Sequence, residues 1–261
     1  MTFVLMGAGQ SLYGPALPAF SRAFGVSIGQ AGLLVSAHWI GCAIGVAGMF
    51  VWGAHTTPRA VVLLMTLGAA LIATGLGWAV TLAGAVIFGA GYGCATVVFN
   101  PRVLRAFGAR GPAMLSLLNA TFGIGAIGAP LLFVALGNNP ALTFGLCAIA
   151  CGGLAAVAGP AGKADAAATA QSSEPFRAHW PALIFGGLAI AIEASLIGLG
   201  PAALIKAGES EVAAAKLLSA FFFAFLAARV LLIFTSHLLK PFSLFTLAMS
   251  GAFFGAVAAA L

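Results

Sequence analysis

Long apolar runs separated by short polar breaks set the pattern of this chain. Around breaks such as SRAFGVS, GAHTTPR, AFGARGP, GNNP, KAGESE and HLLKP stand nine apolar segments: residues 2–21, 30–53, 59–78, 81–104, 112–136, 140–160, 181–205, 212–237 and 242–261. Each is close to the roughly 20 residues that a helix needs to cross a hydrocarbon core. A helix bonds its own backbone groups, so the glycines inside these runs predict close helix contacts rather than loops. One break is of another kind. Residues 161–179, AGKADAAATAQSSEPFRAH, form a polar, Ala- and Ser-rich linker between the sixth and seventh segments.

Composition turns the pattern into a class. Of the 261 residues, 62% are hydrophobic and 6% charged, against about 25% charged in an ordinary soluble domain. So few charges cannot coat a water-soluble particle, and lipid becomes the solvent: the chain reads as an all-α integral membrane protein. The formal charge of +6 comes from Lys and Arg scattered singly between apolar runs. They make no basic stripe, which excludes a nucleic-acid partner. Cys42, Cys94, Cys147 and Cys151 all lie in apolar runs without a His or second Cys at a zinc-site spacing, and read as small packing residues with no metal role. The first run has no basic head and is followed by many like it, so it reads as a first membrane helix, not a cleaved signal.

The basic residues also give an orientation. With the amino terminus cytoplasmic, Arg59, Arg102, Arg105, Arg110, Lys163, Arg177 and Lys240 fall on inside connections, against Arg22, Lys206 and Lys216 outside. The linker is then cytoplasmic, Trp52 and Trp180 flank the inner interface, and Trp78 the outer one. The expected location is a bacterial cytoplasmic (inner) membrane, with the chain crossing it many times.

The linker separates two similar halves. Gly14-Pro15-Ala16 and LLVSAHW (33–39) before it correspond to Gly200-Pro201-Ala202 and LLSAFFF (217–223) after it. A weak repeat of this kind is the trace left by a transporter built from two like bundles. Six helices, a long linker and a second run of helices resemble the major facilitator superfamily. The stretches YGPALPAFSRAFGVSIGQAGLLVSA, FGAGYGCATVVFNPRV and LLNATFGIGAIGAP, with the Asn100-Pro101 pair in the fourth segment, look most similar to its fucose permease-like branch of sugar and proton symporters. The resemblance implies major facilitator-type bundles: a six-helix N-terminal bundle over residues 1–160, a cytoplasmic linker at 161–180, and three helices of a C-terminal bundle over 181–261. It also implies a monomer that carries a small solute across the bilayer by alternating access, with protons as a candidate coupling ion.

Three features depart from that family. The loop after the second segment keeps Gly53 and Arg59 but has Thr57 where the family places an acid. The branch's acids in the first and fourth helices correspond here to Gly14 and Thr96. Its twelve helices are nine here, which reads as a truncation after the ninth; the rival expectation is a truncated, non-transporting membrane protein or scaffold. The chain carries no His-x-x-x-His, Gly-x-Ser-x-Gly or Asp pair, so neither an enzyme nor a cofactor is expected.

Candidate chemistry rests on the few polar groups inside the segments. An ionised side chain at the bilayer centre costs about 2.5–3.5 kcal/mol on insertion scales and usually faces a cavity or a partner. Glu193 lies at the middle of the seventh segment. Arg229 lies within about one helical turn of it in depth on the antiparallel eighth. The pair is absent from the other half, where the repeat puts Gly7 and Val46. Two roles stand open for Glu193: an ion pair with Arg229 that packs or gates, and a desolvated acid that takes up and releases a proton or binds substrate. Gln10, Tyr13, His38, Trp39, Tyr92, Asn100 and Asn119 are the other candidates to line a substrate cavity. Each has interhelical bonding as its plain alternative.

Overall fold

The computed structural model describes residues 1–53, 56–158, 180–235 and 241–260. All regular structure among them is helical: α1 Thr2–Phe24, α2 Ile28–Ala31, α3 Leu33–Trp52, α4 Pro58–Ala73, α5 Trp78–Phe107, α6 Gly111–Ala135, α7 Pro140–Val157, α8 Trp180–Lys206, α9 Glu211–Thr235 and α10 Pro241–Ala260, with a 3-10 turn at Gly108–Arg110. Every apolar segment is a helix, and the second is two. The linker at 161–179 and Lys240 lie outside the described residues. Five stretches are long and apolar enough to cross a membrane: Ile28–Trp52, Trp78–Ala135 (which holds α5 and α6), Pro140–Val157, Leu183–Lys206 and Glu211–Leu231.

Local chemistry explains the boundaries. The second segment breaks because Ser27 and Gln30 form a capping box: the Ser27 hydroxyl accepts from the Gln30 amide at 3.2 Å and the Gln30 side chain from the Ser27 amide at 2.9 Å. The resulting short α2 ends at Gly32, which opens α3. Thr57, the residue standing where the resembled family has an acid, caps α4 by accepting from the Ala60 amide at 3.1 Å. Pro58 follows at the first helical position, where its missing N–H costs nothing. Asn139 and Pro140 begin α7 in the same way. Gly75 and Gly77, both at positive φ, end α4 sooner than the hydropathy alone predicts.

The helices pack mainly as α3 on α5, α4 on α5, α1 on α6, α4 on α7 and α6 on α9, and α8 lies against α1 and α9. Helices in lipid gain little from burying apolar area against each other, so close backbone approach matters more. It is achieved with glycine. A Cβ at Gly41 or Gly45 of α3 would overlap the carbonyls of Val86 and Ala90 of α5, and one at Gly89 or Gly93 of α5 would overlap those of His38 and Cys42 of α3. Two small-xxx-small stripes thus face each other. Gly7 of α1 and Gly125 of α6 meet the Phe122 and Val4 carbonyls in the same fashion.

The two sides of the linker meet at the repeated motif. A Cβ on Gly14 would lie 2.6 Å from the Ile197 carbonyl and 2.9 Å from the Pro201 ring, so Gly14-Pro15-Ala16 abuts Gly200-Pro201-Ala202 across α1 and α8. Beyond it, Arg22 at the end of α1 makes a two-pronged ion pair with Glu211 at the start of α9. The contacts thin toward the other end: Ile197 is buried, whereas Leu183, Ile184, Leu188, Ile190 and Ile192 of α8 are exposed. Trp52, which ends α3, and Trp180, which begins α8, are 65% and 68% exposed.

Gly89→Ala is expected to lower stability by about 1–3 kcal/mol through overpacking against the α3 backbone. Gly128→Ala, in open space on α6, should change it by less than about 0.5 kcal/mol. Thermal unfolding of the two variants in detergent makes the comparison, and equal midpoints would contradict the packing described.

Candidate functional site

A cavity of about 90 Å³ lies among α1, α5, α6, α8 and α9, lined by Phe3, Met6, Tyr92, Thr96, Asn119, Phe122, Glu193, Phe225 and Arg229. Its walls come from both sides of the linker. Phe3 and Met6 sit in the first two turns of α1, so the cavity is displaced from the middle of the bundle toward the linker end. The sealed Gly14–Pro201 contact and the Arg22–Glu211 pair are on its far side.

Glu193 and Arg229 share this cavity without touching. The one ion pair between described residues is Arg22 with Glu211, so the carboxylate and guanidinium of Glu193 and Arg229 are more than 4.0 Å apart at their N and O atoms. Of the two roles left open for Glu193, the direct ion pair with Arg229 is not formed in this structure. Depth along two helices says nothing of how each side chain is rotated about its axis, and Arg229 turns onto its own helix instead. Its guanidinium carbon lies 4.3 Å from the centroid of the Phe225 ring, a cation–π contact one turn back. Glu193 receives no hydrogen bond from the described residues.

The polar lining is partly committed. The Asn119 amide donates to the Leu115 carbonyl at 2.8 Å, leaving its oxygen for the cavity. The Thr96 hydroxyl donates to the Gly93 carbonyl at 2.8 Å. Tyr92 faces the cavity and also packs edge-on against His38, with centroids 5.2 Å apart.

The remaining sequence candidates sit elsewhere. Gln10, Tyr13 and His38 are buried between α1, α3 and α5 at 4%, 1% and 1% exposure. His38 is boxed by Tyr13 at 5.2 Å, Phe88 at 5.8 Å and Trp39 at 5.5 Å between ring centroids, in addition to Tyr92. Gln10 Oε1, the Tyr13 hydroxyl and both His38 ring nitrogens have no hydrogen-bond partner among the described residues. Asn100 Oδ1 is likewise buried without a partner among them, and Asn100 is not among the residues that line the cavity. Trp39 lines a separate apolar groove of about 380 Å³ between α3 and α8. A further groove of about 450 Å³, between α8 and α9, is apolar throughout. Neither groove carries a charged residue among those that line it.

Sequence reasoning missed Thr96, Phe3, Met6, Phe122 and Phe225. Thr96 had a signal, as the position corresponding to an acid in the resembled branch. The others had none among 21 phenylalanines and 6 methionines.

No protein family matches this chain, and no curated protein or solved structure is significantly similar to it. The chemistry of the site stands on its geometry alone.

His38→Phe and Tyr13→Phe each remove an orphaned polar group and keep the ring. Both are expected to leave stability unchanged or raise it by about 1–3 kcal/mol. Thermal unfolding in detergent checks this, and a fall of several degrees in either variant would show that the polar atom has a partner.

Proposed function

We propose that this chain is a secondary transporter of major facilitator type, moving a small polar organic solute across a cytoplasmic membrane by alternating access. The observation that carries the reading is a cavity, walled by helices from both sides of the linker, that holds an acid and an arginine inside otherwise apolar helices. Intramembrane charges are costly and are retained where a substrate or ion passes. A sugar-like or other small organic solute, a coupling proton and a monomer are what the resemblance of the sequence suggests, and a cytoplasmic amino terminus follows from the distribution of Lys and Arg.

The proposal assigns separate roles along the bundle axis. Solute and coupling ion meet Glu193 and Arg229. The Gly14–Pro201 contact and the Arg22–Glu211 pair close the far side and must part for the cavity to open there. An exposed ion pair is worth about 0–1 kcal/mol. A latch of that size can be broken in each cycle.

Purified protein in proteoliposomes tests the reading. Solute counterflow is expected, and Glu193→Gln and Arg229→Met should each reduce it at least about tenfold. Because the two groups are not in contact, the double variant should remain inactive, whereas a rescue would restore the direct ion pair. Absence of transport for every solute tried would favour a non-transporting membrane scaffold.

The far-side latch gives a second expectation. Glu211→Gln should increase labelling of a cysteine placed at Ala202, which is partly buried beside α1, from the far side of the membrane, and the exchanged pair Arg22→Glu with Glu211→Arg should return it toward the parent level. Labelling that ignores both changes would remove the pair from the gate.

A further inference from the structure

We infer that the cavity recognises a small zwitterionic solute, its cationic group at Glu193 and its anionic group at Arg229. This rests on the reading of the cavity as a solute site and names the class of solute.

The argument begins with the two charges. They face one space, they are the only charged groups lining it, and they are not paired with each other or with any other charged residue among the described ones. Both are half-buried inside apolar helices, where a charge without a counter-charge is costly. A direct Glu193–Arg229 pair would have neutralised both, yet Arg229 is held on the Phe225 ring. The site is therefore built with its charges apart, and an occupant carrying both opposite charges satisfies both at once.

Other solute classes fit less well. A simple cation answers Glu193 and leaves Arg229 alone, and a simple anion does the reverse. A neutral polyol carries many hydroxyls, each of which must find a partner when desolvated. The wall offers few. The Thr96 hydroxyl proton and one of the two Asn119 amide protons are already used by backbone carbonyls, which leaves the Asn119 oxygen, its second amide proton and the Tyr92 hydroxyl. Phe3, Met6, Phe122 and Phe225 are apolar. What the wall does offer is aromatic surface from Phe3, Tyr92, Phe122 and Phe225, which suits an alkylated or primary ammonium through cation–π attraction. The volume of about 90 Å³ is small beside the 300–1,000 Å³ typical of drug-sized ligand pockets. It favours a solute of amino-acid or betaine size, whose two charges stand a few bonds apart.

Calorimetric titration of the full chain in lipid nanodiscs decides the matter. The probes are glycine betaine and L-valine as zwitterions, isovalerate and isobutylamine as single-charge counterparts, and D-glucose as the neutral polyol. At least one zwitterion is expected to bind at least tenfold more tightly than either single-charge counterpart and than glucose. Glu193→Gln and Arg229→Met should each remove that preference, and Gly128→Ala, in open space on α6 and outside the cavity wall, should keep it. Glucose binding without zwitterion binding, single-charge probes that bind as tightly as the zwitterion, or no binding by any probe would each overturn the inference. Proteoliposome counterflow with the same probes separates it from the transport reading. Zwitterion binding without counterflow supports the site and rejects the transporter; glucose counterflow without zwitterion binding supports the transporter and rejects the zwitterion.

Discussion

Helix packing here depends on backbone meeting backbone. Where α3 crosses α5, Gly41 and Gly45 sit under the carbonyls of one helix and Gly89 and Gly93 under those of the other, so no side chain separates the two. In a lipid solvent the hydrophobic effect does not hold helices together, and such contact supplies the attraction. The position of His38 follows from it. Its carbonyl rests over Gly89, which brings the imidazole against Phe88 and Tyr92. Tyr92 is then turned so that it also walls the cavity. A stripe of glycines thus sets one wall of a polar site whose other walls come from α1, α6, α8 and α9.

The same constraint separates legible from illegible features. All nine apolar segments became helices because hydropathy and helix length report directly on what lipid tolerates. The linker was legible as a loss of apolar character, although its own residues lie outside those described. The break between α2 and α3 was written locally in Ser27 and Gln30, and only the capping spacing revealed it. The repeated Gly-Pro-Ala motifs predicted two like halves, and in the fold those motifs lie against each other at Gly14 and Pro201.

The site was legible in depth and illegible in azimuth. Glu193, Arg229, Tyr92 and Asn119 were chosen as polar groups inside the apolar segments, and all four line one cavity. Gln10, Tyr13, His38, Trp39 and Asn100 met the same test and point elsewhere. Rotation about a helix axis is set by which glycines and which bulky side chains interlock, and it is not encoded in distance along the chain. A helix turns about 100° per residue. An error of one residue in the register of contact is therefore enough to move a side chain from cavity to core. The apolar wall is hidden for another reason: in a chain that is 62% hydrophobic, one more phenylalanine carries no information.

The cavity's asymmetry is the last consequence. The helices on the two sides of the linker are joined at Gly14 with Pro201 and at Arg22 with Glu211, both on the side of the cavity away from the linker. On the linker side the α8 residues before Glu193 are exposed. Glu193 therefore sits where α8 passes from exposed to packed, one turn from buried Ile197. A charge at such a boundary can be desolvated or reached by water after a small tilt of α8, whereas one turn further along the helix it would be locked in the Gly14 contact. Arg229, held by Phe225 within α9, need not follow that tilt. In the proposed transport cycle, keeping the two charges on different helices and out of mutual contact would let the distance between them vary as the cavity opens. A direct ion pair would have tied that distance down.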